Sequence, residues 1–110
     1  MEIKEPTNGG YYAVIFTSRR TEGDNGYGQM ADEMGRLASA QPGFIGIDSV
    51  RDASGAGITI SYWESLEAIA DWKNNAEHRT AQERGKAEWY RDYEVKICRV
   101  EREYSSRTIR

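Results

Sequence analysis

The sequence predicts one α+β domain with the element order β-α-β-β-α-β, a four-stranded antiparallel sheet carrying its helices on one face. Three observations predict it. Short runs of β-branched and aromatic residues are bounded by turn residues, longer stretches repeat apolar residues at helical spacing, and a Gly-bearing loop joins two of the strand runs as a hairpin. Right-handed crossovers then place both helical regions on the same side of the sheet. At 110 residues the chain has room for one core and folds without staples. The domain is expected over residues 11–104, with 1–10 as a flexible arm and 105–110 as a flexible tail.

The first strand is Tyr11–Ser18, bounded by Gly10 and by Arg19-Arg20. Tyr11, Ala13 and Ile15 alternate with Tyr12, Val14 and Phe16, so both faces are apolar and both need cover. A helix is expected over Asp24–Gln41, where Tyr27, Met30, Ala31, Met34, Leu37 and Ala38 make one stripe. Asp24 or Asn25 caps it and Pro42-Gly43 stops it. Phe44–Arg51 is the second strand, with Ile45 and Ile47 on one face and Phe44, Gly46, Asp48 and Val50 on the other. The small residues 52–57 turn the chain into Ile58–Trp63, where Ile58, Ile60 and Tyr62 alternate with Thr59, Ser61 and Trp63. Ser65 caps a helix through Leu66, Ile69, Ala70 and Trp72, and Asn74-Asn75 interrupts it. A further helical segment runs from Ala76 to about Tyr90, with Asn75 as its cap and Gly85 inside it. Tyr93–Tyr104 is the last strand, and its apolar phase slips after Ile97, which predicts a bulge near Cys98.

Composition excludes several function classes. Fifteen basic against eighteen acidic residues give a net charge of −3, which is not an electrostatic footprint for nucleic acid. No apolar run is long enough to span a bilayer and residues 1–10 lack the apolar core of a leader, so a cytoplasmic location and no membrane partner are expected. One cysteine excludes an internal disulfide, and one histidine excludes a His-rich metal centre. The helix-free side of the sheet would expose Tyr11 or Tyr12, Phe44, Tyr62 or Trp63, and Tyr93 or its neighbours. An apolar patch of that size calls for a second copy of the chain packed face to face.

Three runs carry a family resemblance: Tyr62–Ile69, Trp72–Arg79 and Gly85–Tyr90, together with Gln41-Pro42-Gly43-Phe44. They are similar to the antibiotic biosynthesis monooxygenases, over about Tyr11 to Tyr104. The resemblance implies a ferredoxin-like protomer in a dimeric α+β barrel. It also implies oxidation of a small phenol or quinol by O2 without a cofactor, the substrate anion supplying the electrons. Two alternatives stand beside it: a haem-binding, haem-degrading monooxygenase, and a dimer that holds a small aromatic without turnover. In haem-degrading relatives an Asn lies on the first strand, and Tyr11–Ser18 has none. His78 would be the only available axial ligand.

The candidate site follows from side-chain chemistry. His78 is the natural base near neutral pH, or else a solvated residue just after the Asn75 cap. Trp72, Trp63 and Tyr62 are the candidate walls for a flat ligand, or else core. Tyr62 and Trp63 point to opposite faces, so only one of them lines a given pocket. Asn74 and Asn75 offer amides to a substrate oxygen, or simply punctuate two helices. Arg79 could hold a phenolate, or lie in solvent. No phosphate loop and no metal set is present among these motifs.

Overall fold

The strand in the middle of the sheet is the one whose residues are apolar on both sides. In the computed structural model, which describes residues 2–4 and 10–106, β1 (Glu2–Lys4) precedes this central strand, β2 (Tyr11–Arg20). After α1 (Tyr27–Ser39) come β3 (Phe44–Arg51) and β4 (Ala56–Trp63), then α2 (Leu66–Lys73) and α3 (Ala76–Arg84). A π-helical turn at Gly85–Trp89 leads into β5 (Tyr90–Val100), and β6 (Glu103–Ser105) closes the order. The sheet order is β3-β4-β2-β5, antiparallel throughout, which is the expected ferredoxin-like α+β fold.

Register fixes the faces, because directly opposed residues share one. Tyr12 pairs with Trp63 and Arg99, Val14 with Ser61 and Ile97, Phe16 with Thr59 and Val95, and Ser18 with Gly57 and Tyr93. This is the helix side. Trp63 is fully buried there among Ala38, Ala68 and Ile69, with Tyr12, Val14, Phe44 and Trp72 packed around it. The other side carries Tyr11, Ala13, Ile15, Ile58, Ile60 and Tyr62, and no helix covers it. The choice between Tyr11 and Tyr12, and between Tyr62 and Trp63, is thereby settled: Tyr11 and Tyr62 lie on the open face.

Several local expectations need correction. Phe44 pairs with Trp63 and Gly46 with Tyr62, so a bulge at Ile45 moves Phe44 off the face of Gly46, Asp48 and Val50. Phe44 and Tyr93 thus belong to the helix side. No bulge forms near Cys98, which pairs regularly with Ala13. The slip lies at the start of β5, where Arg19 pairs with Asp92 and Arg20 with Tyr90, leaving Arg91 as the extra residue. The later change of phase has another cause: β5 ends at Val100, and Glu103–Ser105 leaves the sheet to pair with Glu2–Lys4. Part of the expected arm and tail therefore forms a ribbon, while residues 1, 5–9 and 107–110 lie outside the described residues. Both helical ranges are shorter than expected, and Ala31, Leu66 and Ala70 are exposed rather than on the packed stripe.

The helix ends follow from polar side chains. The Asp24 carboxylate accepts from the N–H of Gly26 and of Gly28, each at 3.0 Å, and Gly26 takes φ 85 at the start of α1. Ser65 Oγ accepts from the Ala68 N–H at 3.0 Å, as its sequence position predicts. Gly43 has φ 84, and a Cβ there would stand 2.7 Å from that of Ala68, so only glycine lets α2 close onto this turn.

Candidate functional site

The break between α2 and α3 builds the first cluster. Asn74 ends α2 by donating its N–H to Ala70, and the Asn75 Oδ1 accepts from the His78 N–H at 3.2 Å to start α3. The chain reverses enough to lay the imidazole of His78 flat on the indole of Trp72, with centroids 4.1 Å apart and planes within 14°. His78 Nδ1 lies 2.9 Å from the Trp72 carbonyl oxygen. A carbonyl can only accept, so Nδ1 carries the proton and the lone pair is left on Nε2. Trp72 stacks in turn on Trp63 at 6.2 Å, and Trp63 meets Phe44 edge-on at 5.4 Å. The Trp63 Nε1–H donates to Ser61 Oγ at 2.9 Å, which satisfies a buried donor.

Burial pushes the His78 pKa below its ordinary 6.5, and the hydrogen bond to the Trp72 carbonyl works the other way. Desolvation wins, so the ring is neutral at pH 7. Of the residues singled out from sequence, the fold brings together His78, Trp72 and Trp63. Asn75 sits beside them as a cap. Tyr62 is on the opposite face, packed edge-on against Tyr11 at 6.2 Å, and shares no wall with Trp63. Asn74 and Arg79 are exposed, Arg79 closing the first turn of α3 through its own N–H.

A second cluster, not anticipated from sequence, occupies the hairpin end of the same helix side. Arg51 Nη2 donates to Ser18 Oγ at 2.8 Å, and Arg20 stacks over the Tyr27 ring at 3.8 Å. Tyr27 packs edge-on against both Trp89 and Tyr90 at 5.8 Å. Burial pushes the Tyr90 phenol up, and the neighbouring Tyr27 hydroxyl adds to this, so Tyr90 stays protonated. Two glycines were the legible signal. A Cβ at Gly57 would meet Arg51 Cζ at 2.5 Å, and one at Gly85 would meet the Tyr90 ring at 2.9 Å. An open groove of about 710 Å3 lies at this end of the sheet, lined mainly by residues of the opposite, helix-free face, among them Thr17, Arg19, Val50, Ile58 and Glu94. Six residues along β2 separate it from the Trp63 end, roughly 20 Å at the rise of a strand.

The fold matches a known class. Rv0793 from Mycobacterium tuberculosis superimposes with a TM-score of 0.74 at 16% identity, covering 86% of this chain and 99% of that one. SnoaB, a cofactor-independent oxygenase from Streptomyces nogalater, superimposes with a TM-score of 0.70 at 11% identity, covering 91% and 96%. At such identities the likeness shows a shared ferredoxin-like fold. Sequence goes further: the model of the antibiotic biosynthesis monooxygenase family matches residues 11–84, and the chain belongs to that family. Uncharacterized protein YqjZ of Bacillus subtilis (strain 168) is 50% identical over 93 residues, covering 84% of this chain and 82% of its own.

Proposed function

We propose that this protein is a cofactor-independent monooxygenase that oxidises a small phenol or hydroquinone with O2, acting as a cytoplasmic homodimer. The observation that carries the reading is the state of His78: neutral, stacked on Trp72, with its lone pair held on Nε2 by the Trp72 carbonyl. Such a ring removes the proton of a phenol, and the phenolate is the electron-rich form that reacts with O2. For a hydroquinone the balance closes without a further reductant. One oxygen atom enters the ring, the product leaves as a hydroxyquinone, and the second oxygen leaves as water. The Trp72 indole, stacked between His78 and the fully buried Trp63, holds the imidazole in a fixed plane. The cofactor-independent oxygenase that shares the fold supports the reading.

Oxygen consumption with a panel of hydroquinones tests it. His78→Ala is expected to lower the rate by about 10²–10⁴-fold, the usual contribution of a general base. The wild-type rate should rise with pH as His78 loses its proton, with its midpoint below 6.5. Equal rates in wild type and His78→Ala, or no uptake with any hydroquinone, would overturn the proposal.

A further inference from the structure

The sheet ends on one side in an edge strand that is both long and apolar. β5 pairs with β2 and, among the described residues, with no strand on its outer side. It runs for 11 residues, and an unpaired edge of that length offers its outward N–H and C=O groups to another chain. Its side chains are also short of cover. Tyr93, Val95 and Ile97 stand 43%, 49% and 51% exposed on the helix side. Asp92, Glu94, Lys96 and Cys98 alternate with them on the helix-free side, and all four are exposed.

The charges select the chain that fits. A strand that pairs with its own copy does so about a two-fold axis normal to the sheet, and opposed residues then share a face. An axis at Glu94 opposes Glu94 to itself, and one at Lys96 opposes Lys96 to itself. An axis at Tyr93 opposes Glu94 to Asp92, and one at Ile97 leaves both Glu94 and Lys96 unmatched. Like charges directly opposite destabilise a sheet. An axis at Val95 opposes Glu94 of each copy to Lys96 of the other. The same register sets Tyr93 against Ile97 and Val95 against itself, so the three half-exposed apolar side chains cover one another. Within one chain Glu94 and Lys96 already form an ion pair, but their side chains are 62% and 65% exposed, and such a pair adds little. The bulge at Arg91 ends the match, which leaves Asp92–Cys98 as the paired stretch.

We propose that β5 pairs antiparallel with β5 of a second copy of this chain, about a two-fold axis through Val95. The seam joins two four-stranded sheets into one of eight strands, with the helices of both copies on the same side. Closing the joined sheet toward its helix-free side sets Ile15, Ile58 and Ile60 of the two copies face to face. This pairing rests on the homodimer proposed above and gives it a register: one edge, one axis and two reciprocal charge pairs.

Sedimentation of charge variants of the full chain tests it. Glu94→Lys alone opposes lysine to lysine at both crossings, and Lys96→Glu alone opposes glutamate to glutamate. Each is expected to weaken self-association about tenfold, while an equimolar mixture of the two restores it, because every lysine then meets a glutamate. The double variant Glu94→Lys/Lys96→Glu should associate as wild type does. Both side chains are exposed, so all the variants should keep the wild-type circular dichroism. Single variants that associate as tightly as wild type, a mixture as weak as its components, or a double variant weaker than wild type would overturn the seam and leave the face-to-face dimer standing. A wild type that sediments as a lone chain would overturn both.

Discussion

At the scale of single residues, His78 ties stability to pH. Its folded pKa is depressed by burial from 6.5, so between the folded value and 6.5 the unfolded chain holds a proton that the folded chain does not. Stability is therefore full above this window and is lost as pH falls through it. Urea midpoints should drop as pH falls from neutral through 6.5 and below, and His78→Phe, which keeps a stacked ring on Trp72, should flatten that slope. A slope unchanged in His78→Phe would assign the titration to other groups. The sequence made His78 conspicuous as the lone imidazole, but its tautomer was illegible: the fixing partner is a main-chain carbonyl across a helix break. Alternation likewise separated Tyr62 from Trp63 without labelling their faces. Arg51 escaped notice because an arginine at a strand end reads as solvated, and its glycine seat comes from the neighbouring strand.

Elements were legible where one local rule decided them. The cap at Ser65 is such a case, and Ser65→Ala should cost about 1 kcal/mol by chemical denaturation. The cap of α1 was read to within a choice of two, and Asp24 proves to reach the amides of Gly26 and Gly28 from outside the helix. Strand β3 shows where the rule gives out. One extra residue at Ile45 reverses the side-chain phase, and no residue type there announces it. The last helical stretch is a similar case. Its final five residues, Gly85–Trp89, widen into a π turn, which carries Trp89 into the core and Tyr90 against Tyr27. Gly85→Ala sets a helix-propensity gain of about 1 kcal/mol against the displacement of the Tyr90 ring. Since a real Cβ does not approach a ring carbon to 2.9 Å, overpacking of about 1–3 kcal/mol should win and the variant should unfold at lower denaturant.

For the whole molecule, the expectation of an uncovered greasy face was the most far-reaching inference from sequence. The helix-free side does present Ile58 at 43% and Val50 at 71% exposure. The helices also leave part of their own side open, since Tyr93, Val95 and Ile97 on the edge strand β5 are half exposed. Alternation could not foresee this, because it says which residues share a face and not how far a short helix reaches across it. For the proposed homodimer, sedimentation at micromolar concentration should give twice the chain mass. Ile58→Glu, which puts a charge on the open face, should give the single chain; a wild type that sediments as a single chain would refute the pairing. The indoles divide unevenly along the molecule, Trp63 and Trp72 at one end and Trp89, bonded through Nε1 to the Asn25 carbonyl, at the other. A chain with Trp89→Phe would thus fluoresce from the imidazole end alone, and a chain keeping only Trp89 from the turn end alone. Their emission on heating would reveal whether the two halves melt in concert or one after the other.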